Sequence, residues 1–73
     1  MYAEHETAEF FPEQLSAAKD FIASLPVGAR VYVDEWMEPG WRFVYGDDRE
    51  HALAGLGRVT PGARFRIRPG LLS

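Results

Sequence analysis

Two stretches rich in β-branched and aromatic residues, ARVYVDEWM (29–37) and WRFVY (41–45), face each other across Glu38-Pro39-Gly40. That pattern reads as a β-hairpin, and it constrains the fold more than any other part of the chain. A two-residue Pro-Gly loop would form a type II turn, whose twist splays the strands, so a loop of three to five residues is expected. Loop length then decides which side chains share a face, because a slip of one residue inverts a strand. With an even loop, Tyr32, Asp34 and Trp36 lie with Trp41, Phe43 and Tyr45. With an odd loop, Val31, Val33 and Met37 join those three aromatics instead, leaving Tyr32 and Trp36 on the outer face with Arg30 and Arg42. Burying the larger apolar set stabilises more, at ~25 cal/mol per Å², which favours the odd loop. Trp41, Phe43 and Tyr45 are accordingly expected in the core, and Trp36 and Tyr32 are the aromatics expected to be presented.

A helical period precedes the hairpin. Phe11, Leu15, Ala18, Ile22 and Leu25 recur at spacings of three and four, with Phe21 beside them, and predict a helix over about 12–25. Pro12 suits the first helical position, where its missing N–H would have no partner, and Pro26 and Gly28 stop the helix. Residues 1–9 lack a clean period and read as a flexible arm or an edge strand. After the hairpin, Asp48 is placed to cap a short helix running to about Gly55. Phe65 and Ile67 then alternate with Arg64, Arg66 and Arg68 in a last strand.

The two helix-to-strand passages echo each other. VGARVYV and PGARFRI share Gly-Ala-Arg at 28–30 and 62–64, and upstream Ala18, Ile22 and Leu25 align with Ala52, Leu56 and Val59. One supersecondary plan used twice accounts for both. The expected fold is therefore α+β, a single domain over 1–73, with one amphipathic helix on a small, mainly antiparallel three-stranded sheet and a short second helix.

A chain of 73 residues hides only roughly 60% of its unfolded surface, so the core must be thin. Cysteine is absent, which removes both disulfides and thiolate zinc sites as reinforcement and fits a reducing compartment. No apolar run approaches the ~20 residues of a membrane span, and Met1 is followed by acidic residues where a signal peptide would be basic. A cytoplasmic protein is expected.

Chemistry is sparse. His51 follows Asp47, Asp48 and Glu50, yet consecutive acids at a helix start ordinarily cap and solvate, and no further ligand has metal-site spacing. The serines carry no nucleophile signature, and the glycines at 55, 57, 62 and 70 follow no phosphate-loop pattern. Neither catalysis nor a cofactor nor a metal is expected. Charge is more informative, because it is sorted along the chain. Residues 1–20 hold Glu4, Glu6, Glu9, Glu13 and Asp20 against Lys19, whereas residues 58–73 hold four arginines and no acid. Arg64, Arg66 and Arg68 with Tyr32 and Trp36 are the parts of a stacking platform for single strands. They are also the parts of a solvated face on which arginine stems cover aromatic rings, and an acidic chain repels phosphate at long range, so the second reading is preferred. Glu4, Glu6 and Glu9 suit a basic protein surface.

A stand-alone chain of this length, with one amphipathic helix, a small antiparallel sheet, acidic clusters and no catalytic signature, resembles the small phage-encoded anti-CRISPR proteins. That group shares no common motif, so the resemblance carries over no residue role. It implies an inhibitor that occupies a nucleic-acid or subunit-binding surface of a CRISPR effector complex. The expectation is thus a protein-binding inhibitor or adaptor that uses Trp36, Tyr32, Glu4, Glu6, Glu9, Arg64, Arg66 and Arg68, since interfaces concentrate binding energy in Trp, Tyr and Arg. The alternatives are a single-strand nucleic-acid module and a homodimeric structural subunit joined through a free sheet edge or face.

Overall fold

The helix signals and the strand signals alternate along the chain, and the structure keeps that order. The computed structural model describes residues 6–70. It runs β1 (Ala8–Phe10), a 3-10 turn (Pro12–Gln14), α1 (Leu15–Ala23), β2 (Val31–Met37), β3 (Gly40–Asp47), α2 (Arg49–Leu56) and β4 (Phe65–Pro69). All strands pair antiparallel in one sheet of order β1-β4-β2-β3. The α+β class is as expected. The sheet has four strands where three were expected, because Ala8–Phe10 pairs with Phe65–Ile67 as an edge strand.

Both helices lie on one face of the sheet. The core between the layers joins Ala18, Ile22 and Leu25 to Val31 and Val33 of β2, Phe65 and Ile67 of β4, and Ala52 and Leu56 of α2. At its rim the Phe10 ring stacks on Phe65 at 5.5 Å and meets Phe21 edge-on at 6.0 Å. The helices press close because their inward residues are small. Ala18 and Ala52 are fully buried, and a Cβ on Gly55 would stand 3.0 Å from the Tyr45 Cβ. Phe11 and Leu15, expected to bury with the helical stripe, stay 55% and 39% exposed. The chain around Phe11 is a 3-10 turn closed by the Phe11 N–H on the Gln14 side chain at 2.8 Å, so the α-helical stripe begins a turn later than the spacing implied.

The sequence echo is real in three dimensions. Each helix is followed by a turn in which an N–H reaches back three residues, Ala29 to Pro26 at 3.1 Å and Ala63 to Thr60 at 3.0 Å. The third residue of each turn is glycine, Gly28 at φ 87° and Gly62 at φ 86°, the conformation a type II turn requires and side chains resist. β2 and β4, which leave these turns, lie side by side. β1 stands beside β4 as β3 stands beside β2, so two β-α-β units interlock about an approximate twofold axis. No helix among the described residues is long and apolar enough to cross a membrane.

Candidate functional site: the uncovered sheet face

The hairpin departs from expectation at its loop, and the departure builds the site. Met37 pairs with Gly40, so the loop is Glu38 and Pro39 alone, joined by a cis peptide bond. Proline thus occupies the third position of the turn and glycine the fourth, and the objection to a type II Pro-Gly turn does not apply. An even loop places Trp41 opposite Trp36 and Phe43 opposite Asp34. Between Val33 and Asp34 the register shifts by one residue, and the extra residue, Val44, forms a bulge that returns Tyr45 to the helix side.

The face without helices therefore carries Tyr32, Asp34 and Trp36 from β2, Trp41 and Phe43 from β3, Arg64, Arg66 and Arg68 from the β4 side, and Glu9 from β1. Trp41 and Phe43 were expected in the core and are not there; Phe43 is 56% exposed. Arg42, expected on the outer face, lies on the helix side instead, where it pairs with the buried Glu35. Arg30 pairs with Asp47. Trp36 is half-buried where substantial exposure was expected. The valines win the interior because Ala18, Ala52 and Gly55 leave too little height for indole rings. The aromatics lose water another way, beneath arginine stems.

Those arginines stack in order. The guanidinium of Arg68 lies over Tyr32 at 5.0 Å, that of Arg66 over Trp41 at 4.6 Å, and that of Arg64 over Trp36 at 5.4 Å, all within cation–π range. The rings also touch one another edge-on, Trp36 with Trp41 at 5.5 Å and Tyr32 with Phe43 at 6.3 Å. Beneath them Asp34 is 2% exposed. Its carboxylate accepts from Arg66 Nε at 2.8 Å, Arg68 Nε at 2.7 Å and Arg68 Nη2 at 3.2 Å. Burial by itself would raise the Asp34 pKa, but the hydrogen bonds and charges of Arg68 and Arg66 outweigh it and hold the carboxyl below its ordinary range. The same pairing raises Arg68 further.

On the helix side Glu35 is also buried and also ionised. Its pKa is lowered first by the Thr60 backbone N–H, at 2.7 Å, against the opposing effect of burial, and then by Arg42 and the Thr60 hydroxyl. This carboxylate clips β2 to the turn that launches β4, and is structural. Asp48 caps α2 as the sequence implied, accepting the His51 N–H at 2.9 Å and facing the His51 ring at 2.8 Å, which raises the His51 pKa. Among the described residues no group of three or more His, Cys, Asp or Glu side chains is arranged to hold a metal ion.

Of the residues expected to bind a partner, Tyr32, Trp36, Glu9, Arg64, Arg66 and Arg68 come together on this one face. Glu6 is exposed before β1, and Glu4 lies outside the described residues. Asp34, Trp41 and Phe43 were missed as members of the site. The signal for Asp34 was present, since an acid flanked by Tyr32 and Trp36 at alternate positions matches arginines at alternate positions on another strand.

Fold and site together define a two-layer α+β domain whose sheet bears helices on one side and an open arginine–aromatic face on the other. No protein family, curated protein or solved structure matches the chain.

Proposed function

We propose that this protein is a binding module, an inhibitor or adaptor that docks a protein partner on its uncovered sheet face. One observation supports it above the others. Three of the four rings on that face lie beneath guanidiniums, and the fourth, Phe43, remains 56% exposed at the centre of the β3 edge. Trp, Tyr and Arg held rigid and half-dry are the residues in which protein interfaces concentrate affinity, because little side-chain entropy remains to be lost on binding. Phe43 supplies the apolar anchor.

The same observation weighs against base stacking. A base needs a free ring face, and Tyr32, Trp36 and Trp41 each offer theirs to an arginine already. Asp34 and Glu9 also set two carboxylates among the arginines. By its format the partner would be a nucleic-acid-binding effector complex of the CRISPR type, a proposal that rests on the resemblance and not on any residue.

The test is capture with the wild-type chain followed by quantitative binding of the captured protein to Phe43→Ser and Trp36→Ala, with folding checked by circular dichroism. Loss of binding in folded variants supports the reading. Undiminished binding in both removes it.

A further inference from the structure

Resting on that reading of the outer face, we infer that its partner presents an extended, acid-bearing segment with carboxylates at alternate positions, read by Arg64, Arg66 and Arg68.

Donor supply comes first. Three guanidiniums share this face, each with five N–H groups in a planar fork. The hydrogen bonds they make among the described residues all go to one carboxylate, that of Asp34: one from Arg66, two from Arg68 and none from Arg64. The terminal nitrogens of Arg66 and all of Arg64 remain to be satisfied by water or by a ligand. Because each guanidinium is held over a ring, its range of positions is narrowed before a ligand arrives, and bidentate pairing with a carboxylate loses less entropy.

Spacing comes second. Alternate residues of a strand lie about 7 Å apart, so the three arginines leave the backbone with that repeat, although the Nε atoms of Arg66 and Arg68 then converge on one oxygen of Asp34. An extended peptide carrying Asp or Glu at every second position has the same backbone repeat, and the arginine and carboxylate side chains are long enough to take up the convergence at Asp34. A helix does not, since its neighbouring side chains on one face are three or four residues apart.

Local charge comes third. The whole chain carries a net −3, yet across this face Arg64, Arg66 and Arg68 outnumber Asp34 and Glu9. Glu9 lies directly opposite Arg66 on one side and Asp34 on the other, and Arg68 donates two of the three bonds to Asp34, so Arg64 is the least neutralised of the three. The Arg66 side chain is less accessible than that of Arg68, 26% exposed against 41%. Arg64, exposed and without an acid partner among the described residues, should contribute most to recognition. Glu9 competes with the ligand. Glu9, which the sequence suggested for a basic surface, would on this face act as a brake on binding.

The experiment titrates the 15N-labelled full chain with a blocked peptide of four Glu-Ala repeats, its Gln-Ala counterpart, and an eight-residue oligothymidylate, at low and high salt. The Glu peptide is expected to shift the amides of Arg64, Arg68 and Trp36, to weaken as salt rises, and to exceed the Gln peptide and the oligonucleotide. Arg64→Gln, which leaves the Asp34 pairs intact, should lower its affinity about tenfold, the scale of one charge-assisted contact. Arg66→Gln should lower it less, and Glu9→Gln should raise it. Equal binding of the Gln peptide, tighter binding of the oligonucleotide, or shifts confined to the helix face would each overturn the inference. The captured partner separates this from the parent reading. If its binding needs Phe43 and Trp36 but ignores Arg64→Gln and salt, the docking face stands and the acidic chemistry falls; if it ignores all of these variants, both fall.

Discussion

Val33 of β2 and Ile67 of β4 are direct cross-strand partners, both fully buried, and they are also equivalent positions of the two repeated helix–turn–strand units. Gly28 and Gly62, Ala18 and Ala52, and Val33 and Ile67 share one offset of 34 residues. Because the equivalent residues Val33 and Ile67 meet each other, the approximate twofold axis passes between them. The core is consequently built of like pairs, Ala18 with Ala52 and Ile22 with Leu56, each supplied once by either unit.

Ile22 has no exposure in this thin core, so Ile22→Ala should cost about 2–5 kcal/mol, enough to lower the thermal midpoint sharply. Leu15→Ala, at a position 39% exposed, should cost much less. Chemical denaturation of both variants checks the burial difference within one helix. Equal losses would place Leu15 in the core.

Gly46 and Gly40 sit in the same strand and should respond oppositely to alanine. A Cβ at Gly46 would collide with the Val31 carbonyl and stand 2.7 Å from the Tyr32 Cα, whereas at Gly40 nothing lies within 4 Å. Gly46→Ala is expected to separate β3 from β2 and lower stability by more than about 2 kcal/mol, and Gly40→Ala to stay within about 0.5 kcal/mol. Urea melts of the pair decide it.

Asp34→Asn leaves Arg66 and Arg68 stacked on Trp41 and Tyr32 but without their carboxylate. Since Arg68 is 41% exposed and water can replace part of the interaction, the expected loss is about 2 kcal/mol, below that of a fully buried pair. Tryptophan emission should change as well, because Trp41 rests under Arg66.

Asp34 and Glu35 both have folded pKa values below their ordinary ones. A lowered carboxylate binds protons less readily when folded than when unfolded. Its contribution is therefore complete above the ordinary carboxylate range, about pH 4, and is lost as pH falls through the folded value. From these two carboxylates stability should decline below about pH 5, after a small rise from pH 7 as His51, whose pKa is raised by Asp48, takes up its proton. In Asp34→Asn and Glu35→Gln the neutral-pH stability should be lower and the acid decline shallower, which denaturation across pH 2–7 would register.

Much of the fold was legible in the sequence because its signals are local. Glycine at positive φ, the Asp48 cap and the Gly-Ala-Arg echo each act within a few residues, and each stands in the structure where the chain implied. The arginine row on β4 was equally plain from its alternation. What the sequence could not decide was which side of the hairpin faces inward. That depends on a two-residue loop and a one-residue bulge at Val44, and either change inverts a strand. Area alone favoured burying Trp41 and Phe43, and it misled because it takes no account of height. Two helices that approach through alanine and glycine leave room for Val31 and Val33 but not for indoles. Tyr32, Trp36 and Trp41 stay outside beneath arginines from the β4 side, more than twenty residues further along the chain, and only the folded sheet brings those partners together.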